Sequence, residues 1–257
     1  MNRMQSWPSG AVSASPFVSR MDRAKVDLPP SRRPNCALFV PHHFEPNYSY
    51  PLLVWLHGPG DDERQLKRIM PHVSLRNFVA VCPRGCSPPL PGESGFRWSQ
   101  TLSAIEAAEQ QVFDSIDAAC ARYRIAEEHV FLAGFQCGGT MALRIGLQHP
   151  ERFAGVASIG GPFPEGAAPL ARLRQLRGLP LLIAQGRDSL EYPLAQSCDE
   201  LRLFHAASLH VSIRQYPVAD DLTTAMLSDL NVWAMEQVTG VCQEASDEAY
   251  CTSDGRN

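Results

Sequence analysis

Residues 131–139 read FLAGFQCGG. A short apolar run enters Gly134, three residues follow, and Gly138 and Gly139 close the stretch. This is the outline of G-x-S-x-G, a sharp turn from a buried strand into a helix whose apex presents a serine hydroxyl. The framing glycines are present, yet the apex is Gln136. A primary amide has its nitrogen lone pair delocalised into the carbonyl and carries no proton that a base could remove near neutral pH. The turn predicts a fold, and its apex puts the chemistry in question.

Outward from this turn, strand-like and helix-like segments alternate. CALFVP, PLLVWLH, FVAVCP, HVFLAGF, FAGVASIGG, LPLLIAQG and HVSIRQYP are short continuous apolar runs bounded by Gly, Pro or His. Continuous rather than alternating runs are what strands covered on both faces require. Residues 101–123 place apolar side chains at helical spacing behind a Thr or Ser cap. GGTMALRIGLQHP reads as a helix leaving the turn and stopping at Pro150, and LTTAMLSDLNVWAMEQVTG as a last helix ended by Gly240. The pattern predicts one α/β domain over residues 34–240, with a mostly parallel central sheet and helices on both faces.

Composition narrows the partners. The 257 residues are 44% hydrophobic, enough for one buried core, with no apolar run approaching the ~18 residues of a membrane span. A net charge of -4 offers no basic face to nucleic acid. Eight cysteines are scattered without a CxxC pair or zinc-ligand spacing, which points to reduced thiols and a cytoplasmic protein, with no metal and no cofactor expected. Residues 1–33 carry six basic side chains and no apolar signal core, and the last residues, 241–257, are polar and aperiodic, so both ends read as disordered tails.

Four stretches in order, LLVWLHGPGDDERQL, GFQCGG, GRDSLEYP and QYPVADDL, make residues ~35–240 resemble the α/β-hydrolase fold. The nearest resemblance is to the group of carboxylesterases, phospholipases and acyl-protein thioesterases. That resemblance implies a nucleophile, a histidine, an acid and two backbone donors for the oxyanion. It places the nucleophile at Gln136. The acid position falls on Ser189, with Asp188 one residue early and able to reach across, and the histidine position on Asp220, followed by Asp221. A carboxylate at 220 cannot shuttle a proton near pH 7 as imidazole does. The first oxyanion donor would come from Pro59, which has no N–H, with Gly60 as a substitute if the loop shifts; Cys137 retains the second. His57, Gly58 and Trp98 border the expected site.

Plainer roles stand beside these. The elbow glycines can serve helix–strand packing alone, His57 can anchor its loop, Cys137 can be a small helix-start residue, Trp98 can fill core, and Asp220 with Asp221 can cap the last helix. Gln136 and Asp220 are expected to meet, the amide NH₂ donating to the carboxylate, in a negative site that disfavours carboxylates and favours neutral polyols or small cations. Departures at four linked positions favour a non-catalytic protein that binds a small molecule or serves a structural role. The competing reading is an active ester or thioester hydrolase using Cys137 as nucleophile, although an apex cysteine would need glycine where Phe135 stands.

Overall fold

The strand that begins the resemblance is buried along its whole length: every residue of β2 (Tyr50–Leu56) is buried. Its Leu, Val and Trp side chains project alternately to two faces, and each face has its own cover. A computed structural model describes residues 35–240 apart from residues 90, 91, 93 and 167. The tails expected over residues 1–33 and 241–257 lie outside the described residues.

Seven strands form one sheet: β1 (Cys36–Phe39), β2, β3 (Val79–Pro83), β4 (Ile125–Phe135), β5 (Gly155–Ile159), β6 (Leu181–Gly186) and β7 (Val211–Tyr216). Their spatial order is β1-β3-β2-β4-β5-β6-β7. Only the β1–β3 pair is antiparallel; the other five pairings are parallel. Each of the seven apolar runs read from the sequence becomes a strand.

The helices divide between the faces. Leu52, Val54, Leu132, Val156 and Ile183 pack against α2 (Leu102–Arg122), α3 (Cys137–Gln148) and α5 (Leu194–Ala206). Leu53, Trp55, Phe131, Ala157 and Leu182 pack against α1 (Gln65–Val73) and α6 (Thr224–Thr239). A short helix, α4 (Leu173–Leu176), completes the set. The Thr101 side chain caps α2 by accepting from Ala104 N–H at 3.4 Å, and Gly240 ends α6 at φ 68°. The sequence pattern did not mark α1 or α5: α1 carries Pro71 inside it, and α5 buries only Ser197, Glu200 and Phe204 among its residues. No described helix is long and apolar enough to cross a membrane.

The parallel strands end on one edge of the sheet, where loops carry His57 after β2, Gln136 after β4, Ser189 after β6 and Asp220 after β7. Open α/β sheets place ligands outside this carboxyl edge.

Candidate functional site

Gln136 occupies the apex of the turn between β4 and α3 with φ 47° and ψ -116°. For a side-chain-bearing residue this is a strained conformation, costing on the order of 1–3 kcal/mol, and it persists because neighbours fix it. Gln136 N–H donates to the Ile159 carbonyl at 2.8 Å, and its own carbonyl accepts from Thr140 N–H at 3.0 Å. The two framing glycines let the chains approach: a Cβ on Gly134 would lie 2.4 Å from the Gly138 carbonyl group, and one on Gly138 2.3 Å from the Leu56 carbonyl oxygen.

The four loops bring together most of the positions expected from the sequence, in altered pairings. Gln136 Nε2 donates to the backbone carbonyl of Asp220 at 3.2 Å. This corrects the expected amide–carboxylate contact, because the Asp220 carboxylate faces the turn after β6 instead. There the Ser189 hydroxyl donates to it, joined by the Leu190 N–H at 3.1 Å and the Glu191 N–H at 3.3 Å. Burial works to raise the Asp220 carboxyl, and these three donors together outweigh it and hold it below the ordinary carboxylate value. Ser189 Oγ in turn accepts from Tyr192 N–H at 2.9 Å. Where the resemblance would set a histidine against an acid, positions 220 and 189 form a carboxylate–hydroxyl contact in which Ser189 gives the hydrogen and Asp220 receives it.

Asp188 does not reach across. It is exposed, and its carboxylate lies 3.5 Å from Arg187 Nε on the surface. Asp221 is also exposed. Neither Asp220 nor Asp221 caps α6: Thr223 does, its hydroxyl accepting from Met226 N–H at 3.3 Å.

The loop after β2 offers no N–H at position 59. Pro59 is exposed and has no N–H, and the Gly60 N–H expected as a substitute is committed to the Phe96 carbonyl at 3.2 Å. Asp61 and Phe96 pair there as an antiparallel bridge, so the loop is tied down rather than displaced. Gly58 is buried, and a Cβ on it would meet the Phe135 ring at 2.6 Å. His57 is fully buried; its Nδ1 sits 2.8 Å from the Gly58 carbonyl and its Nε2 accepts from Gly85 N–H at 2.8 Å. Those partners assign a neutral ring with the proton on Nδ1, and burial pushes its pKa below the ordinary value more than the Gly58 carbonyl and the nearby acids raise it. Trp98, itself buried, donates its indole N–H to the His57 carbonyl at 3.1 Å. Both residues hold loops in place.

Cys137 is the first residue of α3, one past the apex. Burial raises its thiol above the ordinary value, against the lowering influence of the Trp98 N–H, Arg97 and the N–H groups of Gly138 and Cys137 itself.

Sequence reading missed three supports. Gln65 accepts from Trp55 Nε1 at 2.6 Å and from Gly58 N–H at 3.3 Å, fixing the loop after β2. Arg144, buried on α3, gives Nε to Gln100 at 2.6 Å and Nη1 to the Gly166 carbonyl at 3.2 Å; a lone charge inside the apolar MALRIGL run was the available signal. Glu200 on α5, at the limit of burial, accepts from Phe163 N–H at 3.1 Å, from Gln196 at 3.1 Å and from the Tyr192 hydroxyl. Burial raises the Glu200 carboxyl above its ordinary value despite those donors. Nothing in the local sequence marked Glu200.

Residues 46–168 match the phospholipase/carboxylesterase family. The esterase-like protein NocK of Nocardia uniformis subsp. tsuyamanensis is 39% identical over 142 residues, a stretch that is 53% of this chain and 39% of that protein. The chain therefore spans well under half the length of this relative. Among solved structures, a carboxylesterase from Mesorhizobium loti is similar at 21% identity and a TM-score of 0.62, over 73% of this chain and 90% of that one. The Bacillus cereus carboxylesterase is similar at 18% and 0.64, over 79% and 93%. Acyl-protein thioesterase 2 of Zea mays is similar at 15% and 0.63, over 79% and 98%. Identities this low speak to the fold alone.

Proposed function

We propose, from the premise that the chain is an α/β-hydrolase matching the phospholipase/carboxylesterase family over residues 46–168, that it binds a small molecule and does not hydrolyse it. The observation that carries this reading is Gln136 in the strained apex conformation, φ 47° and ψ -116°, with its amide tied to Asp220. The position that would present a nucleophile presents a group that cannot attack. The neighbouring losses point the same way: no imidazole at 220, a hydroxyl at 189, and no N–H at Pro59. Removing one oxyanion donor alone typically costs about 10²–10³ in rate.

The free thiols of Cys36, Cys82, Cys86, Cys137 and Cys198 accord with a reducing compartment, and a cytoplasmic location is part of the proposal.

The test is a fluorophosphonate probe together with nitrophenyl esters of varied chain length, applied to the purified protein. No saturable labelling and no turnover above the blank is the expected result. Stoichiometric labelling of one residue, or ester turnover abolished by Cys137→Ala, would overturn the proposal, the latter in favour of a cysteine hydrolase.

A further inference from the structure

Resting on that reading, we infer that the ligand of the Gln136 site carries a neutral carboxamide rather than an ester, a carboxylate or an amine. Gln136 is half-buried, and one of its two amide hydrogens is used by the Asp220 carbonyl at 3.2 Å. Its Oε1 receives no hydrogen bond from the described residues. Beside it, the N–H of Cys137 opens α3 and, among the described residues, meets only its own thiol, a weak acceptor. On the facing loop Pro59 offers nothing and Gly60 is already engaged. The apex therefore presents the Gln136 oxygen as an acceptor next to two donors, the second Gln136 amide hydrogen and the weakly engaged Cys137 N–H.

A carboxamide matches that set with the two groups it has: its N–H reaches Gln136 Oε1 and its carbonyl accepts from the site's donors. An ester has no hydrogen for Oε1. A carboxylate sets two further acceptors against Oε1 and brings a negative charge toward Asp220. An ammonium group could satisfy Oε1, yet it finds no open carboxylate. That of Asp220 is held by Ser189, Leu190 and Glu191, and that of Asp188 pairs with Arg187 on the surface. This removes the small cations that a simple count of aspartates near the site would favour.

Four ligands of one size test the inference on the whole protein at pH 7: butyramide, butyrate, butylamine and ethyl butyrate. Titration calorimetry and ligand-observed NMR measure binding, and release of butyrate from the ester is followed in parallel. Butyramide should bind at least about tenfold more tightly than butyrate or butylamine, the value of one satisfied hydrogen bond. Gln136→Met keeps the side-chain length without its polar atoms and should erase that preference; Gln136→Ala provides the same comparison if the methionine variant melts early. Butyrate or butylamine binding as well as butyramide, no butyramide binding at all, or a preference unchanged in both variants would overturn the carboxamide inference and leave the non-catalytic reading standing. Hydrolysis of ethyl butyrate by the unaltered protein would overturn the non-catalytic reading itself.

Discussion

At the scale of single residues, an amide, a hydroxyl and a carboxylate meet at the positions where the resemblance expects a serine, an acid and a histidine. Positions 189 and 220 touch through side chains, and position 136 lies against the 220 loop. Gln136→Ser alone should therefore give no measurable ester turnover, because its hydroxyl would meet no imidazole and only one oxyanion donor. Groups that act as a unit recover little when restored singly. The quadruple variant Pro59→Leu, Gln136→Ser, Ser189→Asp and Asp220→His should hydrolyse a short nitrophenyl ester, read as initial rates at matched protein and pH. Turnover by the single variant equal to that of the quadruple variant would refute the account of distributed loss. Cys137 offers a second check. With its thiol raised by burial, it should react with iodoacetamide at pH 7 more slowly than exposed Cys198, as mass spectrometry of the two peptides would show.

At the scale of elements, the elbow is held by backbone that leaves no room for a methyl group. Gly138→Ala would drive a Cβ to 2.3 Å from the Leu56 carbonyl oxygen, and should cost about 1–3 kcal/mol or more in denaturant unfolding. A cost near zero would mean that the glycine is not a packing requirement. The loops flanking the site are joined through Glu200, which receives donors from Phe163, Gln196 and Tyr192. Its raised carboxyl pKa makes the folded state favour the neutral acid. Its stabilising contribution is therefore complete below the ordinary value of 4.5 and is lost as pH rises through the raised folded value. Glu200→Gln should flatten the stability profile over that window, and an unchanged profile would rule the linkage out. Glu200→Ala strands the Tyr192 hydroxyl and the Phe163 N–H, and should cost about 1–3 kcal/mol. The strands were legible because residues such as Leu52–Leu56 are apolar without interruption, and the elbow because glycines at 134 and 138 admit few alternatives. The direction of the Asp220 carboxylate was not legible. It depends on N–H groups of Leu190 and Glu191, which any residue in that turn would supply. Glu200 escaped for a related reason: its partners come from loops that sequence spacing does not align.

For the whole molecule, the sheet needs cover from segments distant in sequence. The face formed by Leu53, Trp55, Phe131 and Ala157 is closed by Met226, Leu227, Leu230 and Trp233 of α6. Four such side chains represent roughly 6–12 kcal/mol of burial, comparable with the whole stability of a typical domain. The matched stretch 46–168, expressed alone, should thus be insoluble or lack a cooperative melt, and a sharp two-state transition for it would contradict this. The strained apex has a further consequence. In an enzyme the residue at such an elbow is tied to its identity by the reaction it performs, so the strain there is never open to relief. Here a glycine would accept φ 47° freely. Gln136→Gly should then unfold at a temperature equal to or above that of the original protein while its ligand affinity falls, a direct trade of stability against function. The strain at Gln136 is then the cost of setting its amide against the Asp220 carbonyl.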